Sequence, residues 1–170
     1  MTFLLIANLL SFVSACFTAA SSVTKDPRRT YQYQVRQTLV YAAAAFFFGV
    51  YSTIVMMLLN TLRNYLVGAG KFTRGRMLVI AAAALIFGLV TNGTSVPGFL
   101  SVLLTVSYTV TSFYLTGAKA VKVNVAVNLM LWFVYDLLVR DVPSGLMDII
   151  GTALALHTLY RLKKEERTAP

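Results

Sequence analysis

Long apolar stretches, broken by short polar ones, run the whole length of the chain. Their spacing predicts seven helices, over 3–23, 31–48, 53–67, 77–90, 98–115, 119–139 and 144–162. A bilayer core is crossed by about 20 apolar residues in a helix, and most of these runs approach that length. The breaks are short. TKDPRRTYQYQVRQ follows the first run, Gly49 to Ser52 is a tight connection, GAGKFTRGR follows the third, and TNGTSVP is uncharged. Lys119 and Lys122 mark the loop before the sixth helix, a Pro-Ser-Gly turn precedes the seventh, and RLKKEERTAP reads as a solvated, mixed-charge tail.

The polar residues inside these runs are patterned. Asn124, Asn128, Trp132 and Tyr135 recur at helical spacing and share one face, with Asp136 next in sequence and Asp148 just beyond the turn. A helix in lipid has no use for such a stripe unless it faces protein or a water-filled path. Asn60, Arg63 and Asn64 lie three and four apart on the third helix. Arg63 either snorkels to the headgroups or faces inward with the two asparagines, which cannot snorkel. The first and fifth helices are rich in Ser and Thr, suited to close helix packing. The fourth, MLVIAAAALIFGLV, has no polar stripe and reads as a linker.

Composition agrees with membrane residence. Of 170 residues, 58% are hydrophobic and 12% charged, with a mean hydropathy of +0.72. Soluble domains are about one quarter charged, so this is membrane composition, and the apolar runs occupy so much of the length that no soluble domain fits in what remains. A net charge of +9 would point to nucleic acid in a soluble protein, but here the bases sit in short loops. Alternate loops collect them. Lys25, Arg28, Arg29, Arg36, Lys71, Arg74, Arg76, Lys119, Lys122 and the C-terminal cluster fall on one side, and only Arg140, beside Asp141, on the other. The positive-inside rule then places the N-terminus outside and the C-terminus in the cytoplasm. The start MTFLLIANLL lacks the basic n-region of a signal peptide; its Thr-Ala-Ala-Ser end is cleavage-like, and the segment is kept as a helix. With one cysteine, Cys16, one histidine, His157, and no CxxC, neither a metal nor another cofactor is expected. Asn92-Gly93-Thr94 matches a glycosylation acceptor, a triplet common by chance.

Seven helices with a bland fourth imply three plus one plus three. Sliding the chain by about 91 residues brings Gln37 onto Asn128, Tyr41 onto Trp132 and Thr61 onto Thr152. A shift of about 90 brings Leu10-Ser11 onto Leu100-Ser101 and Ser22 onto Ser112. The expected fold is an all-α membrane protein of one integral domain, 1–170. Residues 1–68 form one triple-helix repeat, 77–92 the linker helix and 97–162 a second repeat parallel to the first. In that arrangement the chain resembles the SWEET and PQ-loop superfamily. More specifically, it resembles the YgjV-like bacterial inner-membrane family over nearly its full length. NTLRN at Asn60 to Asn64, WFVYDLLV at Trp132 to Val139, and Asp148 after the PSG turn carry that resemblance. It departs from SWEET carriers in its prolines: Pro27, Pro97, Pro143 and Pro170 lie in loops or at ends, and no Pro-Gln pair occurs. The resemblance implies an Asn and a Trp lining the pathway, places that Asn128 and Trp132 suit.

Three functions compete. As a small-solute carrier, the chain would bind a polar ring such as a sugar or nucleoside. Trp132 and Tyr135 would stack on it and Asn128, Asn60 and Asn64 would hydrogen-bond it, with Asp148, Asp136 and Arg63 as pathway charges and Asp148 open to proton coupling. As an accessory membrane protein, the same stripe would only join helices. As an intramembrane aspartyl protease, Tyr135-Asp136 and Gly145-Leu-Met-Asp148 would supply the paired carboxylates, but Met147 replaces a glycine of that motif and no Pro-Ala-Leu follows. His157 stands alone on an apolar helix and reads as a packing or interfacial residue. The carrier reading leads and no enzyme is expected. The partners are the lipid bilayer and a small polar solute, not nucleic acid, and a homo-oligomer is compatible with the sequence.

Overall fold

The computed structural model describes residues 2–48, 51–92, 96–139 and 142–168, and all of their regular structure is helical. Seven helices follow in order: α1 (Thr2–Val23), α2 (Pro27–Phe48), α3 (Tyr51–Gly68), α4 (Arg74–Asn92), α5 (Val96–Tyr114), α6 (Ala118–Val139) and α7 (Val142–Thr168). Residues 49–50, the Gly93-Thr94 part of the glycosylation-like triplet, and the Arg140-Asp141 pair fall outside the described residues.

Local chemistry explains several ends. Asp26 precedes Pro27, and its Oδ1 accepts from the Arg28 N–H at 3.0 Å, so an Asp cap and a Pro at the first position start α2. That start lies upstream of the expected Tyr31, which moves Arg28 and Arg29 from loop to helix. Thr73 caps α4 through the Arg76 N–H at 3.4 Å. Gly70, with φ of +66°, ends α3; its N–H reaches the Val67 carbonyl at 3.0 Å and the Lys71 N–H the Leu66 carbonyl at 2.8 Å. This is the double-bonded closure that favours glycine. Pro97 and Pro143 fall in the first turns of α5 and α7, where a missing N–H removes no helical bond. The Pro-Ser-Gly segment is therefore helical rather than a turn.

Two further expectations are corrected. The C-terminal segment is exposed, as expected of a solvated end, but it is helical: α7 continues past 162 to Thr168, and Glu165 and Glu166 there pair with Lys25 and Lys119. The hydrogen bond from Lys25 holds the Glu165 carboxyl below its ordinary value. Lys122 is not in a loop. It lies within the first turns of α6 and is 1% exposed, its Nζ donating to the Ser21 carbonyl at 2.5 Å and to Thr30 Oγ1 at 3.0 Å. Ser21 belongs to the last turn of α1, where backbone carbonyls lack helical partners, so a cation is well placed there.

Packing follows a simple order. α2 lies between α1 and α3, and α6 between α5 and α7; α1 meets α7 and α3 meets α5, closing six helices into a ring. α4 packs outside it, against α5 and α3. A cluster of Tyr31, Val121, Val125, Ala126, Leu129 and Ala155 fills one end of the ring. The exterior is apolar, with Leu4, Phe12, Ile86, Phe99 and Leu137 among many large exposed side chains. Three helical stretches, Phe3–Val23, Arg74–Thr91 and Ala118–Leu138, are long and apolar enough to cross a membrane, and Phe99–Tyr114 is a shorter apolar one.

The α4–α5 contact depends on Gly88. A Cβ there would overlap the side chain of Val102, which is buried with Met56 and Ala84. Gly88→Leu is expected to force α4 away, at a cost of about 1–3 kcal/mol, read as a lower melting temperature in detergent. The same change at exposed Gly75, where a Cβ meets nothing within 4 Å, should leave melting unaltered.

Candidate functional site

The ring encloses a cavity of about 470 Å³. All six ring helices line it and α4 contributes no residue. Its volume lies within the range of small-molecule sites. Every residue singled out from the sequence as substrate-binding or as a pathway charge lines this one cavity: Asn60, Arg63 and Asn64 on α3; Asn128, Trp132, Tyr135 and Asp136 on α6; and Asp148 on α7. Asn124, the fourth member of the α6 stripe, does not. It is buried one turn beyond and its Nδ2 meets Ser112 Oγ at 3.5 Å.

Arg63 does not snorkel. It is 3% exposed and points inward, held by neutral groups alone. Its Nε and Nη2 donate to Asn64 Oδ1 at 3.1 and 2.9 Å, and its Nη1 to Asn60 Oδ1 at 2.9 Å and Thr109 Oγ1 at 3.5 Å. The guanidinium carbon sits 4.4 Å from the centroid of the Tyr108 ring, a cation–π contact. Tyr108 and Gln34 then exchange hydrogen bonds at 2.9 and 3.2 Å, linking α5 to α2. One turn along α2, Thr38 Oγ1 and Thr61 Oγ1 are 2.7 Å apart, joining α2 to α3. Ser14 ties α1 to α2 through the Gln37 carbonyl at 3.1 Å.

On the opposite wall, Trp132 and Tyr135 pack edge to face, with ring centroids 5.2 Å apart. Both are only partly buried, so aromatic surface faces the cavity. Asp136 is buried beneath Gly145, where an added Cβ would come within 3.5 Å of its own Cβ. Asp148, Ser144 and Met147 come from the first turns of α7. Asn128 is unusual. It lies mid-helix, partly buried, and makes no hydrogen bond to the protein among the described residues.

Sequence reasoning passed over Gln34, Tyr108 and Thr109 as site residues. Tyr108 and Thr109 belong to a Ser/Thr-rich helix read as packing texture, and Gln34 to a segment read as basic loop. Their signal was spacing: Gln34, Gln37, Thr38 and Tyr41 share one helical face. His157 is exposed and far in sequence from any cavity-lining residue of α7. Among the described residues, no three His, Cys, Asp or Glu side chains come together as a metal site would require.

A family model described as Imp-YgjV, bacterial inner membrane protein, matches residues 5–166. No curated protein and no solved structure matches the chain.

Proposed function

Because the chain belongs to the Imp-YgjV family of bacterial inner-membrane proteins, we propose that it is a small-solute carrier whose site is the cavity inside the six-helix ring. In this reading seven helices cross the membrane as two parallel triplets, α1–α3 and α5–α7, with α4 as the linker. The neighbour relations support it: α1–α2–α3 repeats as α5–α6–α7, and the α3–α5 contact repeats as α7–α1, as a two-fold axis along the membrane normal requires. The N-terminus is outside and the C-terminus cytoplasmic, by the distribution of basic residues. Tyr31, Val121 and Lys122, each no more than 2% exposed, then seal the cytoplasmic end.

One observation carries the proposal: Asn128 faces the cavity, and its carboxamide has no hydrogen-bond partner among the described residues. Had the polar stripe served only to join helices, each member would hold a neighbour, as Thr38, Gln34 and Asn124 do. An unpaired amide at mid-membrane depth is costly unless something polar enters the cavity to meet it. A solute offering hydrogen-bonding groups and a flat face would meet Asn128 and stack on Trp132 and Tyr135.

A thermal-shift screen of detergent-purified protein against sugars, nucleosides, amino acids and vitamins tests this. Binding at a hundredfold excess over Kd stabilises by about 2.7 kcal/mol. One compound class is expected to raise the wild-type melting temperature by several degrees and to leave Trp132→Ala and Asp148→Asn unmoved. No shift in wild type, with both variants melting early, would support the accessory reading instead.

A further inference from the structure

The Arg63 cradle is one-sided in its chemistry. Arginine carries five N–H donors. Four of them are used on Asn64 Oδ1, Asn60 Oδ1 and Thr109 Oγ1, which leaves the second hydrogen of Nη2 without an acceptor among the described residues. These bonds also fix the two asparagines. Each turns its carboxamide oxygen to the guanidinium, since the reverse orientation would set N–H against N–H. Their Nδ2 groups are consequently left over, and neither Asn60 nor Asn64 makes any further hydrogen bond among the described residues. Unclaimed donors are thus gathered around one cation at the cavity wall.

That cation also lacks a counter-charge. Arg63 takes no part in the ion pairs Lys25–Glu165, Arg29–Asp26 and Lys119–Glu166, and its own acceptors among the described residues are the neutral oxygens of Asn60, Asn64 and Thr109. Asp136 and Asp148 line the same cavity, and each is engaged in an interaction of its own. A buried charge without a partner is unfavourable, and neutral oxygens and an aromatic face compensate it only in part. An anion arriving at Arg63 would relieve that cost and accept from the spare donors at once. A neutral sugar hydroxyl would do only the second.

Resting on the carrier reading, we infer that the solute carries an oxyanion, a carboxylate or phosphate group, received by Arg63 with the amides of Asn60 and Asn64. The rest of the solute lies toward Trp132 and Tyr135. The cradle sits inside the ring and Arg63 is almost wholly buried, so the ligand is a free solute rather than a lipid headgroup at the protein's edge.

Small oxyanions test this without knowledge of the natural solute. Sodium acetate and sodium phosphate are titrated against purified protein at fixed pH, with sodium chloride at matched ionic strength as reference, and melting is followed. Wild type should show a saturable rise of several degrees with at least one oxyanion, beyond the chloride control. Arg63→Gln should show none. Asn64→Asp is the second variant, because it puts a carboxylate where Nε and Nη2 already donate and so supplies an internal counter-ion. It should fold, and its response to added oxyanion should fall at least tenfold in apparent affinity. A wild-type response equal to chloride, or an undiminished response in Asn64→Asp, overturns the inference. A neutral solute that binds in the broader screen while oxyanions do not would overturn it too, and would leave the carrier reading standing.

Discussion

Asn64→Leu is expected to be the most damaging single change in the cavity wall, costing about 3 kcal/mol and lowering the melting temperature by roughly 6–12 °C. The side chain removed is small, but what it solvates is not. Asn64 Oδ1 accepts from both Nε and Nη2 of Arg63, and both residues are almost completely buried. Leucine fills similar space and offers no acceptor, so half of the used guanidinium donors would face hydrocarbon. Charge, not packing, sets the magnitude. The control is Arg63→Met combined with Asn64→Leu, which removes the cation as well and should recover part of the lost stability. Equal melting of single and double variants would mean the guanidinium was not what Asn64 held.

Lys122→Met should cost about 2 kcal/mol, or roughly 4–8 °C, for a related reason with opposite polarity. Here a buried donor is lost and the Ser21 carbonyl at the end of α1 is stranded. Thr30 suffers less, because its hydroxyl also donates to the Asp26 carbonyl at 3.0 Å. Methionine keeps most of the stem, so the change isolates the ammonium from its four carbons of packing. Lys122→Glu would set a carboxylate against a carbonyl and should yield no monodisperse protein. In the carrier reading Lys122 belongs to the cytoplasmic seal, so the methionine variant should also expose that end to reagents that wild type excludes.

The helices were legible because apolar runs and breakers were both strong. Asp26-Pro27 and Gly70 mark ends that any reader of caps would find, although the basic side chains after Pro27 disguised the start of α2 as loop. Lys122 was misplaced for the same reason, since lysine after a short break looks like topology. Its neighbours Val121, Val123 and Val125 were the better guide, because they make a loop at that position improbable. The C-terminal charges are exposed, as their composition indicates, and what the composition hides is that the segment is helical, with Glu165 and Glu166 paired to Lys25 after α1 and Lys119 at the start of α6.

The site was legible from periodicity rather than from any motif. A four-residue recurrence along α6 and the Asn60-Arg63-Asn64 set both report a face, and both faces turn inward. What periodicity leaves out is where the inward face changes from cavity to core. Asn128 and Asn124 are one turn apart and chemically identical, yet one lines the cavity and the other meets Ser112. The choice between a snorkelling and an inward Arg63 was likewise undecidable without its neighbours, because Thr109 and Tyr108 lie on another helix. Hydropathy alone has a related blind spot. α2, α3 and α7 carry the polar residues that face the ring interior or its ends, which dilutes the apolar signal of helices whose outer surfaces are greasy.

A carrier built on two parallel triplets must open its one cavity, at Asn128 and Trp132, alternately to the two sides of the membrane. The chain has a single cysteine, Cys16, which makes a direct test simple. With Cys16→Ser as background, Asn128→Cys is probed with a membrane-impermeant thiol reagent in right-side-out and in inverted vesicles. A carrier predicts labelling from both sides, and slower labelling from both once a ligand fills the cavity. Labelling from one side only, or from neither, in protein that remains folded would contradict the account.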